Sequence, residues 1–155
     1  MREILFRGIP KDDTNRHFFM DIWKDNCNGS FVYGSLIIHK GRYYICVSAM
    51  CSINSNINNG ITSMIEVIPE TIGQYTGLTD KNGKKIFEWD IVNVNTNPKD
   101  SLCHRYEGKN LVIRFDEYHR FIASGRLEYP LCNHYEWEVI GNIHDNPELL
   151  KGGEG

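Results

Sequence analysis

Residues 69–92 read Pro-Glu-Thr-Ile-Gly-Gln-Tyr-Thr-Gly-Leu-Thr-Asp-Lys-Asn-Gly-Lys-Lys-Ile-Phe-Glu-Trp-Asp-Ile-Val. Turn formers at that density leave room for little besides short strands joined by tight corners. Asn82-Gly83 is a preferred pair for the two central positions of a type I′ turn, where both residues need φ > 0, and Asp80 stands where its carboxylate can accept from nearby backbone amides. The stretch therefore predicts a β-hairpin. Residues 74–78 form one arm and residues 85–94 the return arm and the next strand, with Ile86, Ile91, Val92 and Val94 supplying β-branched groups suited to a half-buried pleated surface. Gly73 and Gly77 fall where such a chain bends, bulges or packs closely.

The rest of the chain follows the same pattern. Residues 4–8 read as a first strand, and residues 31–39 and 42–48 as a hairpin around Lys40-Gly41. Residues 109–115 alternate Leu111, Ile113 and Phe115 against Val112 and Arg114, residues 120–123 return, and residues 137–143 close the sheet. Between the first strand and the first hairpin, Phe18, Phe19 and Ile22 share a side at helical spacing, so residues 15–24 are expected to form a short helix capped by Thr14. Residues 51–60 hold four asparagines and read as a mobile loop, and residues 95–107 as a polar loop between strands.

The order of these blocks resembles the YopX family of bacteriophage and prophage proteins. The resemblance rests on Pro69-Glu70-Thr71, residues 73–78, residues 80–83 and Asp90-Ile91-Val92, together with residues 1–8, 32–36 and 135–143. Together the blocks span almost the whole chain. They depart at Trp89, where the family pattern has glycine between two acidic residues, and in residues 12–27, which form a longer link than usual. The resemblance implies a mainly β protein with a C-terminal SH3-type barrel and an N-terminal hairpin and short-helix extension. It implies no catalytic residues. The domains expected are residues 1–66 for the extension, 67–150 for the barrel and 151–155 for a flexible tail.

Composition bounds the function. With 155 residues, 41% hydrophobic and 24% charged, the chain has the make-up of a folded globular protein, and no apolar run approaches the roughly 20 residues that span a bilayer. The first residues lack the apolar core of a secretory signal, and five irregularly spaced cysteines suit free thiols in a reducing compartment, so a cytoplasmic protein is expected. Residues 1–66 carry a net charge of +1 and the remainder −4. An acidic barrel disfavours a nucleic-acid backbone as partner, although Lys81, Lys84 and Lys85 cluster at the hairpin tip. Their ordinary role is to keep an exposed turn soluble and its edge unpaired.

No chemistry is spelled out by spacing. Counted from Asp80 as a calcium loop, glycine falls at position 4 and Ile91 at position 12, where an EF-hand needs Gly at 6 and Glu at 12. Cys46/Cys51, Cys103-His104 and Cys132-Asn133-His134 lack the paired short spacings of a zinc site. Five cysteines and six histidines permit many thiol–base pairs for a thiol-dependent hydrolase, none singled out, and Glu88/Asp90 and Glu136/Glu138 have strand spacing for paired carboxylates. Neither a cofactor nor a catalytic residue is expected. The reading is a non-catalytic protein-binding or assembly module that self-associates or meets a phage or host protein, with nucleic-acid binding as the alternative. For Tyr75, Trp89, Tyr135 and Trp137 the favoured reading is packing in the core or between segments, where aromatics bury large areas, with an aromatic groove as the alternative. Gln74, Tyr75 and Trp89 are the candidate binding residues, and alternation places the Trp89 ring opposite Glu88 and Asp90.

Overall fold

The computed structural model describes residues 3–11, 27–51, 59–95, 109–126, 128–132 and 135–153. Within them the chain is mainly β. In order run β1 (Phe6–Gly8), β2 (Cys27–Asn28), β3 (Phe31–His39), β4 (Arg42–Cys51), β5 (Asn59–Glu66), β6 (Gly73–Thr79), β7 (Lys85–Phe87), β8 (Asp90–Asn95), β9 (Asn110–Phe115), β10 (Phe121–Ser124), β11 (Glu128–Pro130) and β12 (Glu136–Asn142). Two 3-10 turns, Pro69–Thr71 and Pro147–Gly153, complete the described elements. All strand pairs are antiparallel.

The chain divides into two compact units, Glu3–Gln74 and Tyr75–Gly155. The dividing point lies inside β6. In the first unit the strand order is β5-β4-β3-β1 followed by the start of β6, with β2 added to β3. Lys40 and Gly41 both have positive φ, +49° and +73°, so a type I′ turn closes the β3–β4 hairpin as that geometry requires. The core of this unit is Val32, Ile45, Val47, Ile65 and Val67, flanked by Phe6, Leu36, Tyr43 and Ile72. Burying each of those larger side chains contributes about 1.5–3 kcal/mol. Thr71 explains the Pro-Glu-Thr block: its hydroxyl donates to the Ile68 carbonyl at 2.7 Å and accepts from the Ile9 amide at 2.9 Å. Gly34 explains another, since a Cβ there would run into the Cys46 carbonyl on β4.

The second unit holds the end of β6 with β7, and a five-stranded sheet ordered β11-β10-β9-β8-β12. The sheet is open. β11 and β12 form its two ends, so among the described residues the closed barrel implied by the family resemblance does not form. Ile86, Val92, Val94, Leu111, Ile113, Ala123, Trp137 and Val139 make the core on one face. Ile91, Val112 and Ile122 are buried on the other face, and the Asn110 side-chain amide donates to the Leu149 carbonyl of the last 3-10 turn at 2.8 Å. A bulge between Val139 and Gly141 interrupts the β8–β12 register.

Several expectations change. The Asn82-Gly83 corner is not type I′, because Gly83 alone has positive φ. The segment expected as a loop over 51–60 instead contributes Cys51 to β4 and Asn59-Gly60 to β5, and β5 and β11 were not expected as strands at all. The helix expected over 15–24 lies outside the described residues, as do residues 52–58 and 96–108.

Candidate functional site

Three corners of the second unit organise its candidate surface, and two of them hold residues singled out by the sequence, Asp80 to Lys84 and Trp89. The first is the β6–β7 turn. Thr79 pairs with Lys85, the Asp80 amide donates to the Lys84 carbonyl at 2.8 Å, and the Gly83 amide donates to the Asp80 carbonyl at 3.0 Å. This is a three-residue loop, a type I turn with Gly83 in the left-handed position at φ +80°. The cause is Asp80. Its Oδ1 accepts from the amides of Asn82 (2.8 Å) and Lys84 (2.9 Å), a side-chain framework that favours this corner over the mirror turn. Its Oδ2 accepts from the Val139 amide on β12 at 3.1 Å, while the Lys81 amide donates to the Trp137 carbonyl at 2.9 Å. Asp80 is 6% exposed. Burial pushes its carboxyl upward, but the three backbone donors and the charge of Lys84 outweigh it and hold the group below its ordinary 3.8.

The second corner joins β7 to β8 through Glu88-Trp89. Strand alternation stops at this turn, so Glu88 and Trp89 are not placed by it, and Glu88/Asp90 is not a pair on one strand face. Asp90 is 2% exposed and its Oδ2 accepts from the Phe87 amide at 2.8 Å. Trp89 has φ +69°. Its amide donates to the Ile113 carbonyl at 2.8 Å and its carbonyl accepts from the Ile143 amide at 3.0 Å, which fix the backbone in that left-handed state. An L-residue with a side chain is disfavoured there by about 1–2 kcal/mol, a cost that glycine would not carry. Here a half-buried indole occupies the position, with the Arg114 guanidinium 6.0 Å from the ring centroid.

The third corner, the β9–β10 turn, repeats the first with other residues. The Asp116 amide donates to the Arg120 carbonyl (2.8 Å), the His119 amide to the Asp116 carbonyl (3.1 Å), and Asp116 Oδ1 accepts from the amides of Tyr118 (2.9 Å) and Arg120 (2.8 Å). His119 stands where Gly83 stood, at φ +60°. The remaining carboxylate oxygen takes the Arg120 guanidinium at 3.0 and 2.8 Å. Burial again raises the Asp116 carboxyl, and the Arg120 amide and guanidinium more than reverse it. Around this turn Phe115 and Tyr118 are exposed, Phe115 packs against Phe121 at 4.9 Å and His119 at 5.9 Å, and Arg120 lies 5.1 Å over the Tyr118 ring. Nothing in the sequence pattern marked this cluster, since its left-handed position carries no glycine.

Tyr75, Trp89, Tyr135 and Trp137 do not present the alternative aromatic groove as one surface. Tyr75 is 7% exposed, its ring tilted against Phe87 at 5.5 Å and the Lys85 ammonium 5.2 Å from its centroid. Trp137 is 3% exposed and donates its Nε1 proton to the Cys132 carbonyl at 2.8 Å, with Tyr135 edge-on at 5.4 Å. Gln74 is half-buried opposite Phe6 of β1. The tip lysines are partly engaged as well: Lys81 pairs with Glu138 at 2.7 Å and Lys85 with the Tyr75 ring. Cys46 and Cys132 are free thiols, and among the described residues no three of His, Cys, Asp and Glu gather as metal ligands.

A family model described as YopX protein matches residues 21–151, a span that takes in all three corners. The chain belongs to the YopX family. No curated protein matches it. Among solved structures, protein EF1440 from Enterococcus faecalis is similar, with 23% identity over 97% of this chain and 99% of that one and a TM-score of 0.51. That likeness concerns the fold. In this YopX chain the left-handed corner, a position that glycine occupies without strain, is held by a tryptophan.

Proposed function

We propose that this YopX-family chain is a non-catalytic binding module of phage or prophage origin, working in the cytoplasm of a bacterial host by assembling with protein partners, further copies of itself included. The observation that carries the reading is Trp89: a large ring kept on a backbone position that glycine would occupy without strain. An aromatic side chain held at such cost is suited to contact, where large apolar rings dominate interface energetics. The carboxylates of Asp80 and Asp90 support the non-catalytic side, because their oxygens accept backbone amides and are held away from general acid–base work. We read the second unit as an open variant of the SH3-type barrel, supported by its five antiparallel strands and the β12 bulge. The nucleic-acid alternative rests on Lys81, Lys84 and Lys85, of which Lys81 is paired with Glu138 and Lys85 lies over the Tyr75 ring.

Light scattering across a range of concentrations tests the proposal. A mass above 18.0 kDa for the native chain that falls for Trp89→Ala, with unchanged circular dichroism, is the expected outcome. A monomer at every concentration would sink it.

A further inference from the structure

An end strand offers its outer backbone groups to any other extended chain, and proteins shorten such strands, place proline or lysine on them, or cover them. The two ends of the five-stranded sheet are managed differently. β11 is three residues long and includes Pro130. β12 is seven residues long, with neither proline nor lysine, and its Trp137, Val139 and Ile140 are residue types that favour a strand. Its bulge, between Val139 and Gly141, leaves the ladder regular from Glu136 to Val139. What this stretch has instead is the Asp80 corner.

The contact has the form of a strand pairing. The Lys81 amide donates to the Trp137 carbonyl at 2.9 Å, and Asp80 Oδ2 accepts from the Val139 amide at 3.1 Å. In an antiparallel ladder the backbone groups of alternate residues face the same side, so this carbonyl and this amide flank Glu138 on the edge of β12 away from β8. The corner meets them with one backbone donor and one carboxylate oxygen, the carboxylate standing where the carbonyl of a neighbouring strand would stand. The Lys81 ammonium adds the Glu138 carboxylate at 2.7 Å. The turn itself does not require this contact, because Asp116 builds the same corner and gives its second oxygen to Arg120. A strand laid against β12 would present a new edge of its own, whereas a turn ends the ladder there. We propose that the Asp80 corner is an edge guard, a surrogate strand that occupies the outer backbone groups of Trp137 and Val139 and closes β12 to strand addition.

Lys81 is the second residue of the type I turn, a position that suits the fixed φ of proline. Lys81→Pro therefore keeps the corner while removing the amide that reaches β12 and setting a ring carbon against the Trp137 carbonyl. Lys81→Ala keeps the amide and loses only the ion pair with Glu138. In the full chain, hydrogen exchange at the Val139 amide should rise roughly tenfold in Lys81→Pro and stay near the native rate in Lys81→Ala. Asp80→Asn, whose side-chain NH2 would oppose the Val139 amide, opens the same edge by a second route. On prolonged incubation Lys81→Pro should form sedimentable, thioflavin-positive aggregate that the native chain and Lys81→Ala do not. Adding Ile140→Lys, at an exposed position on β12, should suppress that aggregate, and adding Tyr118→Lys at the β9–β10 turn should not. Unchanged Val139 exchange in both Lys81→Pro and Asp80→Asn, an opened edge that yields no more aggregate than the native chain, or aggregate indifferent to Ile140→Lys would each overturn the guard. None of these outcomes depends on Trp89 or on the oligomeric state of the native chain.

Discussion

The turns at Asp80–Lys84 and Asp116–Arg120 have the same backbone hydrogen bonds and opposite surroundings. In each, an aspartate Oδ1 binds the amides two and four residues ahead, and the fourth residue is left-handed. What differs is the second oxygen. Asp80 directs it to the Val139 amide on β12 and becomes an internal tie, while Asp116 gives it to Arg120 at the surface and leaves an aromatic cluster exposed. The shared backbone teaches that an aspartate at the head of the loop builds this corner, and that the next contact decides whether the corner serves the fold or faces solvent.

The largest way to break the comparison is Asp80→Ala. It strands three backbone amides, one of them on a buried strand, and is expected to cost about 3–5 kcal/mol in chemical denaturation, whereas Asp116→Ala should have a much smaller effect. Acid probes the Asp80 tie directly. Because the folded-state pKa of Asp80 is depressed, its contribution is present above the ordinary value of 3.8 and is lost as pH falls through that value and then the lower folded one. Melting curves from pH 6 downward should therefore show a steep loss below about pH 4 that is flattened in Asp80→Asn. Smaller effects of opposite sign are expected at the left-handed residue. Gly83→Ala meets no atom within 4 Å but must adopt φ +80°, so it should destabilise by about 1 kcal/mol, while His119→Gly should stabilise by a similar amount. At Trp89, glycine should be more stable than alanine by about 1 kcal/mol, since only alanine retains the backbone strain. Equal melting temperatures for those two variants would remove strain from the account of that corner.

The sequence exposed the β-rich fold, the β3–β4 hairpin and the position of β12, because alternation and turn residues act locally there. It misassigned the Asn82-Gly83 corner for an equally local reason. The pair favours a type I′ turn, yet Asp80 two residues earlier supplies an acceptor for the Asn82 and Lys84 amides and selects the longer loop. β5 was obscured by the asparagines before it, and pairing with β4 overrides that local bias. Trp89 and His119 were illegible as left-handed residues, since neither is glycine and their φ values are fixed by partners elsewhere in the unit or by an aspartate three residues back. Packing was the favoured reading for Tyr75 and Trp137 and both are buried, but their partners were not legible, because those are decided by which strands become neighbours.

The division between Gln74 and Tyr75 limits how the protein can be taken apart. Gly73 and Gln74 make their rungs with β1, and Tyr75 and Thr79 make theirs with β7, so one continuous strand serves two units. A clean scission at that point would give each fragment a frayed terminus and only part of β6. Fragments for separate study need residues 73–79 in both pieces, and any exchange of units between relatives would have to place its junction outside that strand.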